Sequence, residues 1–350
     1  MGKHKRKYII AAALVALAAI VYLNRGALAM AGFDWFLQGH IEKKIEKTYK
    51  PAERTQPPVA VATSKEQKKE PFAVLLLGVD QRGNEVGRSD TMIYTVVRPE
   101  DGNILLVSIP RDLYVEIVGR DTMDKINHSY AFGGAGMAMD TVEKLLDSPV
   151  HHYASVNFEG FRDVIDAMGG IALPIEKDMV NRDPNHDYFF IKGGQDLYNG
   201  TDALNFVRYR EDAGGDLSRT ERHQQFLHAM IEKALEMKQW TKIPELLDIM
   251  DDNFNTDILP SKLVDLAQEL LQAKQRTMYS HTLAGEGHRL KAGGAWYFFA
   301  DEEDLAQVRS MIKSWLDEDT PAGSLPLPPK YAAERNKEVK SLSSAANGTE

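Results

Sequence analysis

Residues 72–109 read FAVLLLGVDQRGNEVGRSDTMIYTVVRPEDGNILLVSI, and this stretch decides the fold. The first eight residues form a short apolar run interrupted only by Gly78, as a buried strand requires. Thr91 to Arg98 and Asn103 to Ile109 are β-rich runs parted by the turn Pro99-Glu100-Asp101-Gly102, so a hairpin is expected beside the first strand. Helical periodicity follows at Ala138 to Leu146, Phe158 to Met168 and Arg219 to Trp240. It is weaker at Pro244 to Asp251, Ser261 to Ala273 and Glu302 to Leu316. Strand-like segments at Ile171 to Pro174, Ala203 to Tyr209 and Thr277 to Leu283 lie between them. This alternation predicts one layered α/β domain over residues 72–319. His151-His152 reads as a surface turn after Pro149.

Outside that domain the composition changes. Lys3, Lys5, Arg6 and Lys7 form a basic segment (1–7) before an apolar run from Tyr8 to Leu23. At 1.5 Å per residue such a helix reaches roughly 24 Å and spans a bilayer with help from Tyr22, Lys7 and Arg25. The charge bias keeps the N-terminus cytoplasmic and exports the rest of the chain. The predicted arrangement is a transmembrane signal-anchor helix over 8–24. The alternative is a signal peptide cleaved at Ala27-Leu28-Ala29, but Asn24 and Arg25 interrupt the approach to that site. Residues 25–71 are rich in Lys, Glu and Pro and read as an extracellular stalk, and 320–350 as a disordered tail.

A chain of 350 residues with 43% hydrophobic and 27% charged residues has the composition of a globular protein. One long apolar run and a negative mean hydropathy exclude a multi-span membrane protein. Net charge −9 gives no global attraction for nucleic acid, so any polyanion must meet a local basic cluster. Zero cysteines exclude disulfides, thiolate metal sites and Cys nucleophiles. The glycines from Gly78 to Gly83 do not make a phosphate loop, since Asn84 stands where the Lys is required.

Three segments carry chemistry. Asp80 follows the first strand and Asp90 precedes the second, so a glycine-containing loop can bring two carboxylates together. Hard oxygen ligands of that kind suit Mg²⁺, while the plain alternative is a polar turn. Arg111, with Lys125 in Asp124-Lys125-Ile126-Asn127, stands where an anion is held at a sheet edge, or else pairs with Asp112 or Asp124. The strongest segment holds Arg208 and Arg210, expected on one face of a strand, then a capping box of Ser218 and Glu221 that would start a helix at Arg219. Arg219, Arg222 and His223 then share one helix face. Cations at a helix N-terminus are disfavoured, which points to a bound anion; pairing with Glu211, Asp212 and Asp216 is the alternative.

These stretches resemble the LytR-CpsA-Psr family of bacterial cell-envelope proteins. The matching runs are LLLGVDQR, GRSDTM, LVSIPRDLYV, DKINHSYAFGG, VNFEGFRDVIDAMGGI, the run from Gly194 to Ala203, and RYRE followed by GDLSRTERHQQ, covering about Phe72 to Glu236. The resemblance implies a three-layer α/β/α fold with a central mixed sheet and an apolar polyprenyl tunnel. It also implies a phosphotransferase that moves an anionic glycopolymer, such as teichoic acid or capsule, from undecaprenyl diphosphate to peptidoglycan, with diphosphate hydrolysis as a side activity. On this basis Asp80 and Asp90 would hold Mg²⁺ (or Mn²⁺), and Arg88, Arg111, Lys125, Arg208, Arg210, Arg219 and Arg222 the diphosphate. Arg82 matches an often basic position and joins the diphosphate set, as does His223, which stands where the family usually has Gln and whose imidazole N–H can donate to phosphate. Asp90, Arg88, Arg208 and Arg210 would be the catalytic set. The implied partners are the lipid-linked polymer, peptidoglycan and the bilayer, with no nucleic acid and no obligate protein partner. Two rival functions remain: a non-catalytic envelope polyanion- or lipid-binding protein, which would use the same arginines but has little need for the paired carboxylates, and a membrane-bound transcriptional attenuator. The attenuator is disfavoured because the basic cluster is exported away from DNA.

Overall fold

The computed structural model describes residues 46–54, 70–80, 87–182, 188–209, 215–236, 249, 253–259, 262–263, 266 and 277–333. Its centre is a six-stranded mixed sheet of β1 (Phe72–Asp80), β2 (Arg88–Arg98), β3 (Asn103–Ile109), β4 (His152–Asn157), β5 (Phe254–Thr256) and β6 (Thr277–Thr282). The strands lie in the order β6-β3-β2-β1-β4-β5. β1, β2 and β3 form the expected antiparallel meander, while β4 joins β1 and β6 joins β3 in parallel.

Alternation along β1 builds two cores, one on each face of the sheet. Ala73, Leu75, Leu77 and Val79 pack with α1 (His128–Leu146) and α5 (Glu302–Leu316), whose Val142, Leu146, Ile312 and Trp315 are fully buried. The opposite face carries α2 (Phe158–Ala167), α3 (Gly200–Arg208) and α4 (Gly215–Glu236). Ile165, Leu204, Val207 and Phe226 form the core of that layer, and Leu227 of α4 reaches the sheet beside Ile93 and Leu106. The result is the three-layer α/β/α arrangement.

Several expectations are corrected. Ala203 to Tyr209 is not a strand; it belongs to α3, which Asn199 starts by accepting a hydrogen bond from the Asp202 N–H at 2.8 Å. Phe206 and Val207 bias that run toward strand, but the cap and the i, i+3, i+4 spacing of Ala203, Phe206 and Val207 prevail. α4 starts at Gly215, so Ser218 lies inside the helix and does not cap it. Ile171 makes only an isolated bridge to Tyr198. α1 is ten residues longer at its start than the periodicity predicts, because Gly133 and Gly134 break its geometry, Gly134 at φ +61°. The weak helices at 244–251 and 261–273 fall largely outside the described residues, as do residues 8–24; no helix among the described residues is long and apolar enough to cross a membrane.

The ends of the stalk and tail are docked on the domain. Lys50 donates its N–H to the Thr256 carbonyl at 2.8 Å, and the Tyr153 hydroxyl donates to the Lys50 carbonyl at 2.7 Å. Arg54 reaches Asp140, Glu143 and the Val150 carbonyl. Gly136 permits this crossing, since a Cβ there would stand 1.9 Å from the Glu53 carbonyl oxygen. On the other side Leu325 is buried, and Arg98 donates to the carbonyls of Trp315, Asp317 and Thr320 after α5. Residues 334–350 lie outside the described residues.

His151 is part of the fold, not a surface turn. Its Nδ1 accepts the Ala73 N–H at 2.8 Å, which requires an unprotonated nitrogen. Burial, aided by nearby His152, Lys262 and Arg54 and opposed by Glu70, lowers its pKa to about 4. A depressed folded-state value contributes stability above the unfolded pKa near 6.5, and this is lost as pH falls toward 4. Wild type is expected to lose on the order of 2–3 kcal/mol more than His151→Asn across that window, measured by urea unfolding at each pH.

Candidate functional site

Asp80, Arg88, Asp90, Arg111 and Lys125 come together at one end of the sheet, where β1 and β3 finish and β2 begins. The β1–β2 register shifts between Gly78 and Val79: Gly78 faces Thr91 and Val79 faces Ser89. Asp90 is therefore the extra residue of a β-bulge, a device that re-aims a side chain at a sheet end. Asp80 and Arg88 face each other on the last rung, with Arg88 exposed.

A chain of charges crosses this end. Arg111, two residues past β3, donates from Nη1 to Asp90 Oδ1 at 2.7 Å, and its Nε lies 3.5 Å from Asp112 Oδ2. Lys125 Nζ donates to Asp112 Oδ1 at 2.7 Å and stands 5.8 Å from the centre of the Tyr297 ring. Asp124 accepts the Lys125 N–H and contacts His128 Nδ1 at 2.8 Å. Thus Asp90, Arg111, Asp112 and Lys125 form one network on three segments distant in sequence. The ion-pair reading holds for Arg111 toward Asp112, and Lys125 pairs with the same acid at the sheet end.

The third segment is less concentrated. Arg208 ends α3 and lies 5.4 Å over the Phe158 ring. Arg222 is buried, hydrogen-bonds the Tyr209 carbonyl and sits 5.3 Å over that ring, so it fixes the turn leaving α3. Arg219 and Arg222 are the fifth and eighth residues of α4, beyond the turn where a helix dipole acts, so the dipole argument for an anion there does not hold. Arg82 and Arg210 lie outside the described residues, and nothing is described of the Arg219 side chain. His223 Nε2 lies 3.1 Å from the Val207 carbonyl, which requires an N–H there and leaves Nδ1 to accept from the Thr91 hydroxyl at 3.4 Å. Its ring therefore ties α4 to α3 and β2.

Beside this network an apolar cleft of about 180 Å³ opens between the sheet and α2, α3 and α4. Leu76, Ile93, Phe161, Val207, Phe226 and Leu227 line it, and Thr91 and His223 stand in its wall. Charged groups of both signs at the sheet end thus stand beside an apolar cleft, an arrangement that suits an amphiphile with a charged head.

The LytR_cpsA_psr family model matches residues 36–314. The chain belongs to the LytR-CpsA-Psr family. Among its relatives, the polyisoprenyl-teichoic acid--peptidoglycan teichoic acid transferase TagU of Bacillus licheniformis is 34% identical over 316 residues, covering 90% of this chain and 98% of that protein. The crystal structure of Bacillus subtilis TagU superposes with a TM-score of 0.56 at 36% identity, covering 72% of this chain and 99% of that one. A structure of TagT bound to LI-WTA gives a TM-score of 0.61 at 26% identity over 77% and 99%.

For this LytR-CpsA-Psr protein, two site features carry little sequence signal. Asp112, 7% exposed, links Arg111 to Lys125, yet an acid beside an arginine reads equally as a local ion pair. Asn127 is 4% exposed and precedes α1 without capping it; its Oδ1 has no hydrogen-bond partner among the described residues. A buried amide oxygen of that kind is satisfied by a donor on a ligand or a water. Only its backbone contact, Asn127 N–H to the Arg111 carbonyl at 3.2 Å, ties it to the site.

Proposed function

We propose that this chain is a membrane-anchored, outward-facing phosphotransferase that moves an anionic cell-wall glycopolymer from undecaprenyl diphosphate to peptidoglycan. The observation that carries this reading is the Asp90–Arg111–Asp112–Lys125 network beside the apolar cleft. The lipid enters the cleft and its diphosphate meets Arg88, Arg111 and Lys125 at the sheet end, and the family resemblance carries the same role to Arg82, Arg208, Arg210, Arg219 and Arg222. The cleft's volume of about 180 Å³ holds only the first isoprene units, and the rest of the lipid runs outward. Relatives that carry teichoic acid transferase names support the polymer class.

Asp80 and Asp90 fit a hard divalent cation, Mg²⁺ or Mn²⁺. Their carboxylates stand on neighbouring strands, and such ions need only one or two protein carboxylates when substrate phosphates supply further oxygens. No group of three or more His, Asp or Glu able to hold a metal is present among the described residues, so substrate oxygens would have to complete such a site. When bound, the ion neutralises phosphate charge.

The residues divide the remaining work. A peptidoglycan hydroxyl attacks the phosphorus joined to the polymer's first sugar. The P–O bond to the bridging oxygen breaks, and polyprenyl monophosphate leaves with its charge held by guanidiniums. Asp90 is placed to accept the hydroxyl's proton. Water taking the place of the hydroxyl gives diphosphate hydrolysis as a side activity.

The test supplies the full chain in detergent with a polyprenyl diphosphate-linked sugar, Mg²⁺ and a peptidoglycan acceptor. Lipid monophosphate release is expected, reduced at least about a hundredfold in Arg210→Ala and Asp90→Ala. Release that is absent in wild type, or unchanged in both variants, contradicts the proposal and favours a binding protein.

A further inference from the structure

The proposed reaction has two substrates, and the apolar cleft accounts for only one. A second hollow, about 810 Å³ against about 180 Å³ for the cleft, lies on the other side of α4. Glu221, Gln225, His228 and Glu232 of α4 form one wall, and Ser280 of β6 and Tyr331 of the docked C-terminal segment face them. α4 thus separates two unlike spaces: His223, Phe226 and Leu227 face the apolar cleft, while the residues beside them in sequence face a polar groove.

Strand register sets how close the two spaces are. Ile93, in the cleft, pairs with Ser108 of β3, and Ser108 pairs with Thr282 of β6, which lines the groove. Strands lie about 4.8 Å apart, so cleft and groove face the same level of the sheet about 10 Å from each other. Gln224 holds this spacing, donating from Nε2 to Ser108 Oγ at 3.1 Å and to the His281 carbonyl at 3.0 Å. Arg111 follows three residues after Ser108 on the same chain segment and donates to Asp90, the neighbour of Thr91 in the cleft wall.

The lining selects the ligand. Glu221 and Glu232 outnumber Lys330, so the groove repels an anionic polymer and the diphosphate, which belong to the arginine side. Burial lowers the His228 pKa, leaving its ring a neutral hydrogen-bonding group. Glutamine, serine and carboxylate partners, with the flat faces of Tyr331 and Pro328, match an uncharged sugar chain that also bears amines.

We infer that this groove binds the acceptor glycan, an N-acetylated amino-sugar strand with its peptide amines, and presents its hydroxyl across the end of α4 to the diphosphate. This rests on the transferase reading for its purpose but not for its binding. The test uses the full chain and soluble, uncrosslinked peptidoglycan glycan strands, measuring equilibrium binding and acceptor KM for wild type, Gln225→Trp and Glu232→Arg. Both side chains are exposed, so both variants keep the fold, which thermal melting checks. Gln225→Trp is expected to weaken strand binding and raise acceptor KM by about tenfold or more, with donor KM within about twofold of wild type. Glu232→Arg is expected to shift both in the same direction. Strand binding lost in the variants while wild type transfers nothing keeps the groove and contradicts the transferase reading. Transfer with strand affinity and acceptor KM unchanged in both variants overturns the groove and leaves the transferase reading intact.

Discussion

Arg111→Ala is expected to lower the rate of polymer transfer by about 10²–10³-fold, with stability reduced by only about 1 kcal/mol. Arg111 is the link between Asp90 and Asp112 in the charge network, and its removal sets two carboxylates near each other where phosphate charge must be held. The loss should fall on kcat, because the guanidinium matters most as negative charge builds on the leaving phosphate. Arg111→Lys should restore little, since an ammonium cannot reproduce the planar fork that serves a carboxylate and a phosphate together. Steady-state kinetics with a lipid-linked donor, beside a urea melt of the same preparations, checks both halves. Equal losses in rate and in folded fraction would make Arg111 a structural residue only.

Arg54→Ala is expected to destabilise the domain by about 3–5 kcal/mol, although Arg54 lies before the first strand. Its side chain is 9% exposed and pairs with Asp140, whose side chain is 1% exposed, at 2.8 Å, and with Glu143. Truncation leaves a buried carboxylate on α1 without its cation, the costly way to break an ion pair. The thermal midpoint should fall by roughly 10 °C. A chain begun at Phe72 should show the same loss, whereas Lys47→Ala, at an exposed position of the same segment, should not. A shift below about 1 °C for Arg54→Ala would mean that the segment only rests on the domain.

This segment also shows where the sequence stops being legible. Residues 46–54 have too few apolar side chains to signal burial, and they dock through one arginine, backbone hydrogen bonds and the glycine at 136. None of these carries a periodic pattern. The early strands are legible because the continuous apolar run FAVLLLGV and the turn at 99–102 leave no other buried arrangement. Ala203 to Tyr209 was misread because aromatic and β-branched residues outweighed the Asn199 cap in a short window. At the site, residue types announced a cationic cluster, but convergence depends on the bulge at Asp90 and on the turn after β3, and neither has a spacing signature. Asp112 and Asn127 needed coordinates, since only burial separates them from ordinary surface residues.

The central claim is that the transferred unit is a phosphorylated polymer and not a bare sugar. Donor labelled with ³²P only at the phosphate nearest the polymer distinguishes the two. With wild-type chain, Mg²⁺ and peptidoglycan, the label is predicted in the wall fraction as a phosphodiester, with unlabelled polyprenyl monophosphate released. Label that stays on the lipid as diphosphate while polymer reaches the wall would mean glycosyl transfer and would contradict the account.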